Sequence, residues 1–167
     1  YEVGFDELGI IKGLKLKLAS RCGASPDLSG AINERALLHI DNAYYLENIL
    51  VENHLCKTNT ASNTAFRGFG GNQGMMVIEN IIDNIANTLK KDSAEIRRRN
   101  FYQKKKKNIT HYNMKIEDNV IQEIFDQLLK SSNYKSRQLG IKKFNQENKY
   151  IKRGISITPV KFGISFT

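Results

Sequence analysis

Four glycines stand within seven positions of the run Thr64-Ala65-Phe66-Arg67-Gly68-Phe69-Gly70-Gly71-Asn72-Gln73-Gly74. Glycine weakens helices and strands alike, so such a cluster is kept for what it permits. It opens backbone angles closed to other residues and lets a ligand come close to the main chain. Interleaved with the glycines are one guanidinium, Arg67, and one ring, Phe69. An amphipathic run follows directly. From Met75 to Leu89, Ile78, Ile81, Ile82, Ile85 and Leu89 share one face, opposite Glu79, Asp83, Asn84 and Asn87. The pattern predicts a loop that feeds a helix N-terminus, offering N–H groups and a positive dipole end to an anionic or strongly polar cofactor. The phenylalanine suits a flat substrate.

Two familiar glycine loops do not fit. A dinucleotide fingerprint needs G-x-G-x-x-G, but Gln73 occupies the third glycine's place, and Asn87-Thr88-Leu89-Lys90 offers no acidic residue for a ribose. A phosphate-binding P-loop ends in Gly-Lys-Ser/Thr, and that ending is missing here.

Charge raises a different possibility. A formal net charge of +9 would by itself suggest nucleic acid. The cations cluster in Lys90-Lys91, Arg97-Arg98-Arg99, Lys104 to Lys107 and Lys142-Lys143, without the interleaved aromatics of a base-stacking surface. A solvated face, or a contact to another part of the protein, is the expected use. A basic nucleic-acid-binding module stays as the alternative from another class. Cys22 and Cys56 lie far apart and outside any metal-ligand spacing, which points to two thiols in or near the core and a reducing cytoplasm. His39, His54 and His111 are equally scattered. No apolar run is long enough to cross a bilayer. The chain opens without Met and stops in an apolar run at Phe166-Thr167, so it reads as a piece truncated at both ends.

Along the chain, Tyr1 to Phe5 and Ile10 to Ala19 read as strands joined by a turn at Asp6-Glu7-Leu8-Gly9. Asn33 is placed to cap a helix from Glu34 to Tyr44, and Ile49 to Cys56 reads as a strand. After the helix ending at Leu89, Asp92 or Ser93 caps another through Arg99. A third follows Asn119, with Ile121, Ile124, Phe125, Leu128 and Leu129 as its stripe; a fourth runs from Tyr134 to Glu147. Gly154 to Phe166 reads as a strand with Pro159 at an edge or bulge. The order predicts an α+β fold, a mixed sheet with helices on one side.

The central loop resembles the cofactor loop of the molybdenum hydroxylases, more narrowly of the molybdopterin-binding subunit or domain of the xanthine dehydrogenases. The usual run there has proline where Asn72 stands. The resemblance continues through Glu34-Arg35-Ala36-Leu37, Asp41-Asn42-Ala43-Tyr44-Tyr45, Cys56-Lys57-Thr58-Asn59, Arg97-Arg98-Arg99-Asn100-Phe101-Tyr102 and Lys161-Phe162-Gly163-Ile164-Ser165-Phe166-Thr167. It implies layered α/β subdomains around a buried pterin, with residues 1–167 forming a partial molybdenum cofactor-binding domain.

The resemblance also implies roles. Phe66, Arg67 and Gly68 would contact the cofactor, whose molybdenum is held through the pterin and not by a protein ligand. An unpaired charge in the apolar surroundings of Arg67 would be costly, which favours a partner there. Phe69, which pattern alone allows as core, would stack on the substrate, with Phe166 as the second ring and Thr167 as a neighbouring hydroxyl. From pattern alone Arg35 reads equally as an i,i+4 or loop ion pair. By resemblance it is the catalytic arginine that orients a purine and stabilises its developing charge. It lies 67 − 35 = 32 positions before Arg67, the family's separation. Aldehyde oxidases usually lack it, and an inactive fragment of such an enzyme is a further alternative. The implied reaction takes hypoxanthine and xanthine to urate with water as the oxygen source. The rest of the molybdopterin subunit, a 2Fe-2S and FAD subunit or domain, and an oligomer are the implied partners, with no membrane. The family's general-base glutamate is not in this chain, so the 167 residues alone are expected to be inactive. Asn72 would loosen or cap the helix start, and Glu52-Asn53-His54 would alter loop packing.

Overall fold

A computed structural model describes residues 1–163 of the chain. The two-residue alternation of Leu14-Lys15-Leu16-Lys17-Leu18 builds the middle of a long strand, β2 (Ile11–Gly23), with Leu14 and Leu16 buried and the lysines in solvent. On one side β2 pairs antiparallel with β1 (Glu2–Phe5), and on the other parallel with β3 (Ile49–Lys57). The sheet is therefore mixed, in the order β1-β2-β3. Asp6 shapes the turn between β1 and β2, its Oδ1 accepting from the N–H groups of Leu8 (3.0 Å) and Ile10 (2.9 Å).

A parallel pair needs a crossover, supplied by α1 (Ser29–Leu38) and the turns after it. This helix begins five residues before the predicted one and stops at Leu38, so Asn33 is interior to it and caps nothing. Buried Asn33 instead accepts from Ser20 Oγ at 2.8 Å and donates to the carbonyl of His54 at 3.3 Å. It fastens α1 to the sheet.

Helix α2 (Gly71–Leu89) starts four residues earlier than the apolar stripe requires. Ile78, Ile81, Ile82 and Ile85 lie fully inside one apolar cluster with Ile11, Leu14 and Leu16. Next come α3 (Ser93–Asn100), with Asp92 accepting from Ala94 N–H at 3.0 Å as its cap, α4 (Ile121–Ser131) and α5 (Tyr134–Glu147). Asn119 Oδ1 accepts from Ile121 N–H at 3.1 Å, just ahead of α4. The α4 stripe is only partly used. Phe125 is buried against Phe101, whereas Ile124 and Leu128 face outward.

Gly154 to Gly163 forms no strand, contrary to the periodic reading, and the predicted strand's remaining residues lie outside the described ones. The tail is held by side chains. Asn42 Nδ2 donates to the Pro159 carbonyl (3.0 Å), and Asn42 Oδ1 accepts from Lys161 N–H (3.0 Å). Cys22 is buried and Cys56 exposed, both as thiols, so only one lies in the core.

The basic clusters also divide. Arg97, expected on a solvated face, is wholly buried. Its guanidinium meets Glu79 at 2.7 Å and Asp83 at 2.8 Å. Glu79 also accepts from Tyr44 Oη (2.6 Å) and Asn42 Nδ2 (2.8 Å). The remaining cations of the clusters are largely solvated, and several are paired on the surface: Arg98 with Asp126, Arg99 with Glu95, Lys104 with Glu123 and Lys143 with Glu147. Pairs of that kind contribute little to stability. Adjacent arginines should therefore behave very differently. Arg97→Met strands a carboxylate and should lower unfolding free energy by about 3 kcal/mol or more, whereas Arg98→Met should leave the denaturant midpoint nearly unchanged. Urea unfolding of both variants checks this.

Candidate functional site

The glycines of the central run do two jobs. Gly68 and Gly70 have φ of 91° and 95°, and Gly70 occupies the N-cap of α2 in the left-handed region. Gly70 and Gly74, one helical turn apart, press on α1. A Cβ at Gly70 would collide with the Ile32 carbonyl, and one at Gly74 with the Ala36 carbonyl. So much of the glycine content serves helix-to-helix contact, leaving less for a ligand than the sequence suggests. The expected supply of N–H donors is also smaller. Gly71 N–H donates to the Gly68 carbonyl, and those of Gln73 and Gly74 to the Gly70 carbonyl, which occupies three of the first four amides of α2.

What the loop does present is side chains. Phe66 is 84% exposed, and Arg67 beside it is exposed too. The guanidinium of Arg67 has no hydrogen bond or ion pair among the described residues. It sits in solvent, so the argument from apolar surroundings does not apply to it. The backbone beneath is fixed: Asn72, whose side chain caps no N–H group, donates from Nδ2 to the Arg67 carbonyl at 3.2 Å. Phe69 is half-buried at a φ of 48°, a strained setting for a non-glycine residue, with its N–H bonded to the Phe66 carbonyl. A ring and a cation side by side fit a group that is flat in one part and anionic in another.

Arg35 lies in the last turn of α1, where a cation suits the helix dipole. It is 6% exposed, with its guanidinium over the Phe162 ring at 4.8 Å from the centroid. Phe162 lies against the start of α2, its Cε2 only 3.1 Å from where a Cβ would stand on Gly71. Arg35 and the glycine run are thus brought together through a ring 127 positions away in the chain. Its burial sets Arg35 apart from an exposed surface cation. Arg67 is exposed on the loop itself, whereas Arg35 is buried on α1. Phe166 and Thr167 lie outside the described residues.

Two histidines hold the end of α1. His39 Nδ1 lies 2.9 Å from the Arg35 carbonyl, and His111 Nε2 lies 3.1 Å from that of Leu37. A carbonyl can only accept, so those nitrogens carry the protons. Burial pushes both imidazoles below their ordinary value, and the Arg35 charge lowers His39 further. Close by, buried Asp41 accepts from Tyr102 Oη at 2.7 Å and pairs with Lys161. Sequence reading missed His39, His111 and Phe162 as parts of this site; the only signal was the short motif containing Phe162. A wide cleft of about 1070 Å³ lies elsewhere, beside Asp92, Arg98, Asp126 and Tyr134, and includes none of the candidate residues.

The histidines predict a pH dependence. In the unfolded chain each binds a proton below about 6.5, while the folded form resists protonation to lower pH. The unfolded state then holds more protons, so stability is complete above that value and falls as pH drops through the depressed folded values. Thermal midpoints should be flat near neutrality and decline below about pH 6.5. His111→Gln, which keeps an N–H donor, should make the decline shallower.

A family model described as the molybdopterin cofactor-binding domain matches residues 1–101. The chain is 46% identical over 167 residues to the xanthine dehydrogenase of Dictyostelium discoideum and to the xanthine dehydrogenase/oxidase of Mus musculus. It is covered in full and spans 12% of the length of each. Quinoline 2-oxidoreductase from Pseudomonas putida 86 superposes with a TM-score of 0.76 at 19% identity, over 87% of this chain and 19% of its own. The aldehyde oxidoreductase of Desulfovibrio desulfuricans gives 0.73 at 24% identity, over 83% and 15%. At such identities the likeness establishes the fold. Among the described residues no helix is long and apolar enough to cross a membrane.

Proposed function

The chain belongs to the molybdopterin cofactor-binding domain family, and from that premise we propose that it is part of a xanthine dehydrogenase, oxidising hypoxanthine and xanthine to urate with water as the oxygen source. In this reading residues 1–167 are a portion of the cofactor-binding domain. The 2Fe-2S clusters and FAD are carried elsewhere in the complete enzyme. When bound, the molybdenum cofactor supplies the two-electron oxidation and the site at which water's oxygen is transferred.

This chain's residues supply position and charge. Phe66, Arg67 and Gly68 hold the cofactor on a loop whose backbone is already fixed. Arg67 offers a cation and N–H donors to an anionic group, and Gly68 lets the main chain turn beneath it. Phe69 provides a face for a flat heterocycle, and Phe166 and Thr167 complete the substrate contacts. Arg67→Ala in the full-length protein should lower molybdenum content per protomer, measured by elemental analysis. Full occupancy with unchanged turnover would remove Arg67 from the cofactor contacts.

The observation that carries the purine assignment is Arg35, a buried guanidinium lodged beside the glycine run. Attack on a purine pushes negative charge onto the ring and its carbonyl oxygens. A guanidinium aimed at such an oxygen gains strength as the charge develops, so it lowers the barrier more than it tightens binding. An aldehyde gathers its charge at the reacting carbonyl and gains little from a more distant arginine. Arg35→Met in the full-length enzyme should therefore reduce kcat on xanthine and hypoxanthine about a hundredfold, about 2.7 kcal/mol. Benzaldehyde should be much less affected. Equal losses on all three substrates would make Arg35 a folding residue, and no loss on any would end the purine assignment.

A further inference from the structure

Phe162 reaches Arg35 from a segment with no strand pairing, and three contacts explain why it stays there. Asn42 grips that segment through both ends of its side-chain amide, at the Pro159 carbonyl and the Lys161 N–H, each at 3.0 Å. The same Nδ2 donates to Glu79, itself locked by buried Arg97, so the amide cannot rotate cheaply. Lys161 adds an ion pair to buried Asp41. Beyond this clamp the Phe162 ring rests on Gly71 and tilts against His39 with centroids 5.3 Å apart. His39 in turn fixes the Arg35 backbone, donating to its carbonyl through both N–H (3.1 Å) and Nδ1 (2.9 Å).

We propose that Phe162 is a positioning residue for Arg35, its ring face setting the plane of the guanidinium. The proposal rests on the purine reading above. A ring face attracts a guanidinium electrostatically within about 6 Å, and it does so without consuming an N–H donor, because the π cloud meets the flat face while the donors lie in the plane. A carboxylate in the same place would also hold Arg35, but it would bind those donors and cancel the charge that a developing oxyanion needs. An aromatic support fixes direction without itself binding those donors or adding an opposing charge. Phe162 is 48% exposed, so Arg35, Gly71 and His39 do not enclose it.

The test uses the full-length enzyme with Phe162→Leu, Phe162→Tyr, Arg35→Met and the Arg35→Met/Phe162→Leu double variant. The Leu variant should lose about tenfold in kcat on xanthine, the scale of one partly desolvated cation–π contact, with KM changed little and benzaldehyde turnover nearly intact. The Tyr variant, which keeps the ring face, should retain turnover. The double variant should be no slower than Arg35→Met alone, since the ring has nothing left to position. Calorimetric binding of urate, which needs no turnover, should weaken in Phe162→Leu and Arg35→Met alike. The proposal falls if Phe162→Leu matches the parent on xanthine, loses xanthine and benzaldehyde turnover equally, or adds its loss to that of Arg35→Met. It also falls if urate binding weakens in Arg35→Met only. Should Arg35→Met itself spare xanthine turnover, the purine reading fails first and this one with it.

Discussion

Backbone-to-backbone contact between α1 and the first turn of α2 is the constraint on which the rest of the site depends. The carbonyls of Ile32 and Ala36 occupy the volumes where side chains at 70 and 74 would stand. With the helices this close, the end of α1 lies beside the start of α2, and Arg35 in that last turn falls next to the glycine run. Any side chain at Gly74 would push the helices apart and carry Arg35 away from the loop. The left-handed turns at Gly68 and Gly70 then decide what faces outward, turning Phe66 and Arg67 to solvent while Phe69 folds partly inward.

Much of the fold is readable in the sequence because its periodicities are clean. The isoleucines of α2, the Asp92 cap of α3 and the span of α5 follow from local pattern, and the order of elements follows from them. The misreadings have physical causes. Asn33 has the chemistry of a cap, but its amide is better used bridging Ser20 and His54 across the sheet, so tertiary bonding overrides a local preference. Arg97 belongs to a run of three arginines that looks solvated. One helical position separates it from Arg98, enough to turn it inward onto Glu79. The tail alternates like a strand, yet its described residues join no sheet, and Asn42 takes up the Pro159 carbonyl and the Lys161 N–H in place of a ladder.

The site is less readable than the fold. Arg35 and Arg67 could be singled out through resemblance to a family motif, but not from their surroundings. The contact between Arg35 and Phe162 spans most of the chain, and no periodicity encodes a meeting at that separation. The glycines are ambiguous for a related reason. A sequence shows where side chains are missing without telling whether a ligand or another helix fills the space.

Position 42 carries two unrelated demands at once. Its backbone sits at a φ of 42°, in the left-handed region that few side chains tolerate. Its side chain must also donate and accept at fixed reach. Glycine would satisfy the first demand and leave the tail ungripped. Aspartate would tolerate the backbone but lose the donor and set a second anion against Glu79. Glutamine has both functions on a longer arm that overshoots the gap. The intersection of the two sets holds asparagine alone, so a residue remote from any chemistry leaves as little freedom for substitution as a reacting group would.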